Sequence, residues 1–66
     1  MIVTINGSER EVADGTTVAE AVRTLTTATT GVAVAVNDEV ITRSAWETTA
    51  LSDRDRVEVL TAVQGG

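Results

Sequence analysis

The chain contains neither cysteine nor histidine. Without cysteine there is no disulfide, no thiolate nucleophile and no thiolate metal site. Without histidine the commonest general base and the commonest metal ligand are both missing. Aromatic residues are reduced to Trp46. No apolar run approaches the roughly 20 residues that a membrane-spanning helix needs. Met1 leads straight into strand-like sequence rather than into a basic region followed by an apolar stretch, so no signal peptide is expected and the location expected by default is cytoplasmic. The formal net charge is −5, from ten acidic and five basic residues. That balance opposes nucleic-acid binding, which needs cationic contacts to phosphates. It suits docking on a basic protein surface, although solubility alone also explains an acidic surface.

What remains is a small aliphatic domain. Sixty-six residues leave no room for a second one. The apolar fraction is 42%, carried by Val, Ala, Ile and Leu, which supports a packed core and argues against disorder. Met1-Ile2-Val3-Thr4-Ile5 is β-branched and runs into Asn6-Gly7, a strong hairpin signal. Residues 8–13 read as the return strand, and Asp14-Gly15 as a turn. Thr17-Val18-Ala19-Glu20 matches a capping box. Val18, Ala21, Val22 and Leu25 then follow helical spacing and predict one helix that ends near Leu25, before a threonine-rich connection.

Residues 32–36 form an unbroken Val/Ala run, expected as a strand covered on much of both faces. Asn37-Asp38 turns it into a short strand over residues 39–42. Residues 43–51 show neither period and are expected to cross the fold as irregular structure, with Trp46 packed over them. Asp53-Arg54-Asp55 is expected as a solvated charged turn rather than a cation site or an acid–base pair. It feeds a last strand over residues 56–62. The compact arrangement for this order is a mixed sheet of four or five strands with one helix across a face. The expected core is Val3, Ile5, Val18, Val22, Leu25, Val57 and Val59, closed by Val34, Val36 and Leu51. The first and last strands are expected as the central pair.

The chain divides into a body, residues 1–62, and a flexible tail, residues 63–66. Val63-Gln64-Gly65-Gly66 is thin because glycine lacks Cβ, and four extended residues reach about 13 Å. A frayed terminus is the plain alternative for such an ending. In the last strand, alternation turns Val57 and Val59 inward and leaves Glu58, Leu60 and Ala62 outward. These three are the candidate docking residues.

The whole chain resembles the ubiquitin-like β-grasp family and, more narrowly, its ThiS-type sulfur carriers of thiamine biosynthesis. The resemblance is carried by Ile2-Val3-Thr4-Ile5-Asn6-Gly7, Gly15-Thr16-Thr17-Val18, Val32-Ala33-Val34-Ala35-Val36-Asn37 and Val40-Ile41-Thr42-Arg43-Ser44-Ala45-Trp46. It continues through Arg56-Val57-Glu58-Val59-Leu60-Thr61-Ala62-Val63-Gln64-Gly65-Gly66. The usual Asp-Gly-Asp before the last strand is here Asp53-Arg54-Asp55, which requires either a turn without positive φ at Arg54 or some strain.

The resemblance implies an α+β β-grasp fold and a macromolecular substrate rather than an enzyme. The Gly66 carboxylate would be adenylated by a ThiF-like adenylyltransferase and receive sulfur from a donor protein. It would then pass the sulfur as a thiocarboxylate to a ThiG-like thiazole synthase. Val63, Gln64, Gly65 and Gly66 would enter the partner's active site. ATP and magnesium would belong to that partner, with no cofactor or metal held by this chain. All five basic residues are arginine, and the absence of lysine amines would spare an activated C-terminus, though codon usage explains it more simply. The alternatives are a carrier for molybdopterin or another sulfur-requiring pathway, and a non-carrier β-grasp interaction module with an idle tail.

Overall fold

The computed structural model describes residues 1–27 and 30–61. Strand β1 (Ile2–Ile5) turns at Asn6-Gly7 into β2 (Ser8–Glu11). Both turn residues have positive φ, 49° and 83°, the geometry that matches the twist of a two-residue hairpin. Helix α1 (Val18–Arg23) follows, then β3 (Val32–Val36), β4 (Glu39–Ile41), a 3₁₀ turn (Arg43–Ala45) and β5 (Arg56–Thr61). The sheet order is β2-β1-β5-β3-β4, with β1 parallel to β5 and the other neighbours antiparallel. The first and last strands are therefore neighbours, as expected, and β5 occupies the centre.

The capping box forms as the sequence predicts. The Glu20 amide donates to Thr17 Oγ1, and the Thr17 amide donates to Glu20 Oε1. Two further amides of the first turn are satisfied from the crossing segment, Val18 by the Thr49 carbonyl at 2.9 Å and Ala19 by that of Trp46 at 3.1 Å. Those bonds set the helix on the sheet, with Val18, Ala19, Ala21 and Val22 buried against Val3, Ile5, Val34, Val57 and Val59. Each large aliphatic side chain buried this way is worth about 1.5–3 kcal/mol.

Several expectations need correction. The helix stops at Arg23 rather than near Leu25. The Thr24 hydroxyl takes the Ala21 carbonyl at 2.6 Å, and the Leu25 amide bonds back only three residues, to Val22. That tightening swings Leu25 out of the core, to 37% exposure. Strand β2 ends at Glu11, not at residue 13, because β1 offers only Met1 beyond Ile2, and Val12 uses both its groups, its amide donating to the Met1 carbonyl and its carbonyl accepting from the Met1 ammonium. Strand β3 is covered on one face only. Val34 is buried and Val36 only partly so, while Ala33 is exposed, since no described residues form a layer over the outer face of the sheet. The crossing segment is not wholly irregular, for it opens with the 3₁₀ turn and pairs Ala50 with Thr17. Trp46 lies within the core, 4% exposed, and donates Nε1–H to the Ile41 carbonyl at 3.0 Å.

The Asp53-Arg54-Asp55 turn is a buckle rather than a merely solvated loop. Asp53 Oδ1 accepts the Ile2 amide at 2.7 Å, and Asp55 accepts from the Ser52 amide and from Asn37 Nδ2. Arg54 has φ +72°, and that conformation points its amide at the Ile2 carbonyl, 2.6 Å away. Left-handed backbone costs a non-glycine residue about 1–2 kcal/mol. The Arg54–Asp53 ion pair, 3.8 Å long and exposed on both sides, returns little of that. Arg54→Gly is therefore expected to stabilise the domain by about 0.5–1 kcal/mol, once the greater entropy of the unfolded glycine chain is subtracted. In a thermal melt this is a rise of roughly 2–8 °C. A fall in Tm would show that the turn stores no strain.

Candidate functional site

Strand β5 places the candidate docking residues because its neighbours hold it from both sides. On the β3 side the Asn37 amide donates to the Arg56 carbonyl at 2.8 Å, which fixes the even-numbered residues of β5 as those bonded to β3. On the β1 side the Asn6 amide donates to the Val57 carbonyl at 2.9 Å. The Asn6 side chain then continues the ladder where β1 has ended. Its Oδ1 accepts the Val59 amide at 2.8 Å and its Nδ2 donates to the Val59 carbonyl at 3.1 Å. Asn37 does similar work at the other end, accepting the Arg56 amide on Oδ1. Both asparagines were legible as turn residues, but their pairing with β5 depends on residues about 20 and 50 positions away, which no local pattern reveals.

With β5 so fixed, Val57 and Val59 are buried while Glu58 and Leu60 face outward, as alternation predicts. Leu60 is 70% exposed. Across the sheet it faces Ala33, and Glu58 faces Ala35, which in turn pairs with Val40 on β4. Val40 is 72% exposed. These residues line a shallow depression of about 150 Å³ on the face opposite α1. Its apolar members from β3 and β4 were not singled out in the sequence; registering the Val/Ala run against Leu60 would have found them. The register brings Glu9 and Glu11 to the same face beside Thr4 and Ile2, so the apolar patch shares its face with carboxylates. Arg56, also outward, is held by Asp38 at 2.6 Å. That hydrogen bond, with Asp38's charge added, raises the guanidinium pKa further above its ordinary value.

Ala62, Val63, Gln64, Gly65 and Gly66 lie outside the described residues, and so does the expected body–tail boundary. Among the described residues no group of three or more carboxylates is assembled that could hold a metal ion, and no helix is long and apolar enough to cross a membrane. Trp46 contributes to the core rather than to this face, with the Arg43 guanidinium 4.5 Å above its ring.

A five-stranded mixed sheet crossed by one helix, its first and last strands parallel and adjacent, is the β-grasp architecture of ubiquitin-like proteins. Two solved structures share it over the full length of this chain. One is the crystal structure of a thiamine biosynthesis protein, ThiS, from Geobacter metallireducens, 36% identical over 100% of both chains with a TM-score of 0.79. The other is a solution structure of a thiamine biosynthesis protein from the same organism, also 36% identical, covering 88% of that chain with a TM-score of 0.80. No curated protein matches. The model of the ThiS family matches residues 3–66, and the chain belongs to that family.

Proposed function

We propose that this chain is a sulfur carrier of thiamine biosynthesis, working in the cytoplasm as the substrate of partner enzymes. The observation that carries the reading is the family match over residues 3–66, which includes the diglycine, on a domain whose central strand leads into that ending. A carboxylate is a poor acyl donor to a nucleophile because its charge is delocalised and its oxygen leaves badly. A ThiF-like adenylyltransferase supplies the missing leaving group. The Gly66 carboxylate attacks the α-phosphorus of ATP, pyrophosphate departs, and an acyl adenylate forms. A sulfur nucleophile from a donor protein then forms a C–S bond as AMP leaves. With a persulfide as that nucleophile the product is an acyl disulfide. A thiol attacks its donor-side sulfur, the S–S bond breaks to leave a disulfide between donor and thiol, and the thiocarboxylate departs to pass its sulfur to a ThiG-like thiazole synthase. ATP and magnesium belong to the activating partner's site.

In this scheme Gly65 and Gly66 give the tail its thinness, Val63 and Gln64 are the last residues gripped, and Glu58, Leu60 and Ala62 dock the body. Incubation with a ThiF-like protein, ATP and a sulfur source tests the scheme by intact mass. Replacement of one oxygen by sulfur at Gly66 is the expected product, and an unchanged mass would leave only an interaction module. Leu60→Glu puts a charge into the apolar patch without touching the core. Its Tm is expected to match the parent, while affinity for the activating protein drops about tenfold, as for loss of one interface anchor. Equal affinity of the two chains would remove Leu60 from the interface.

A further inference from the structure

The sequence holds two asparagines, and both stand in turns with positive φ, Asn6 at 49° and Asn37 at 51°. Their successors differ. Asn37 is followed by Asp38, a residue whose own side chain crowds its amide nitrogen. Asn6 is followed by Gly7, which is exposed, and a Cβ placed there would meet nothing within 4 Å. A glycine amide beside an asparagine carboxamide is the least hindered pair for closure to a succinimide. Hydroxide takes the Gly7 amide proton, the nitrogen attacks Asn6 Cγ, and the Cγ–Nδ2 bond breaks as ammonia leaves. Water then opens the ring at either carbonyl. The product is an aspartate at position 6, or an isoaspartate whose main chain runs through Cγ. In sum, amide and water become acid and ammonia, with no oxidant or reductant consumed.

The folded domain holds the carboxamide away from that reaction. Asn6 Oδ1 accepts the Val59 amide at 2.8 Å and Nδ2 donates to the Val59 carbonyl at 3.1 Å. Cγ cannot turn onto the Gly7 nitrogen while both bonds last. Their partners lie 53 residues apart in sequence, so both bonds are lost when β5 leaves β1. We infer that Asn6 is a deamidation site that folded β5 shields and that unfolding exposes, so that the reaction marks chains whose central strand has been open. The mark changes the fold. An aspartate at position 6 has no Nδ2–H to donate and sets a carboxylate oxygen against the Val59 carbonyl. An isoaspartate lengthens a two-residue turn by a methylene. Either product loses the bonds that carry the β1 ladder on to Val59, so a chain once deamidated opens more readily than before. None of this depends on the carrier reading.

The test needs only the full chain at neutral pH, with and without urea. Cleavage after arginine places Asn6 in fragment 1–10, apart from Asn37 in 24–43 and Gln64 in 57–66. Mass spectrometry over time is expected to show the amide-to-acid change in fragment 1–10 in urea. The folded chain should show it at least about a hundredfold more slowly, because only the small open population reacts. Trp46→Ala, whose open state is more populated, should react faster than the parent without urea. Asn6→Asp reproduces one product at nearly unchanged size, and its Tm is expected to fall by roughly 4 °C or more. Equal rates with and without urea would show that the bonds to Val59 shield nothing. An amide that survives in urea, or that reacts no faster than Asn37 there, would remove the role of Gly7. A Tm unchanged by Asn6→Asp would show that the product leaves the fold intact. Any of the three overturns the proposal.

Discussion

Deleting Gly66 is expected to abolish sulfur loading while leaving the domain as stable as before. The reacting group in the proposed function is the terminal carboxylate, and among the described residues the buried core lies between Val3 and Val59. Shortening the chain moves a carboxylate back by one residue, about 3.5 Å along an extended backbone. Since a misplacement of about 1 Å can cost roughly a hundredfold in rate, loading should fall by at least that factor. Intact mass after incubation with activator, ATP and sulfur source measures the loss, and a thermal melt checks the fold. Undiminished loading of the shortened chain would place the modified atom elsewhere and end the proposal.

Trp46→Ala is expected to have the largest effect on stability. Trp46 is the one large aromatic ring available to the core, and it is 4% exposed. Its indole N–H holds the Ile41 carbonyl, and its backbone carbonyl accepts the Ala19 amide of α1. Truncation leaves that second bond but opens a void between the helix, the 3₁₀ turn and the sheet, and it removes the surface on which Arg43 rests. Comparable truncations of buried Trp cost about 3–5 kcal/mol. A domain of this size has a total stability of only about 3–10 kcal/mol. The variant should therefore populate the unfolded state measurably without denaturant. Trp46→Phe keeps most of the packing and should recover much of the loss. Urea unfolding followed by circular dichroism distinguishes them, and a cost below about 1 kcal/mol for the alanine variant would show that the ring is not what joins α1 to the crossing segment.

How much of this was readable in advance depended on the distance over which each signal acts. The Asn6-Gly7 and Asn37-Asp38 turns, the Thr17–Glu20 capping box and the inward alternation of Val57 and Val59 are local, and each stands where the sequence puts it. The helix end was misjudged by two residues because Leu25 fits the apolar spacing, whereas the competing hydroxyl of Thr24 acts on the backbone. Ala21 stood on the expected apolar stripe, but Ala19 and Trp46 were missing from both the stripe and the expected core. Small or isolated residues give no periodic signal, and their burial is decided by what crosses over them. The Val/Ala run of β3 could not reveal that one face is left uncovered by the described residues. Of the site, Leu60 and Glu58 were legible from alternation alone, while Ala33, Ala35 and Val40 required the register between three strands. The roles of Val63, Gln64, Gly65 and Gly66 rest on the family and on chemistry.

The position of β5 has a consequence for how the protein is made. The central strand follows both hairpins in the chain, and the two hairpins it joins are separated until it has been made. A nascent chain can close β1 on β2 and β3 on β4, since those contacts are near in sequence. The pairing of Thr4 with Arg56 must wait for a loop of roughly 50 residues to be spanned. Folding is thus gated by synthesis of β5, and the segment bearing the diglycine follows a body that has only then become able to assemble.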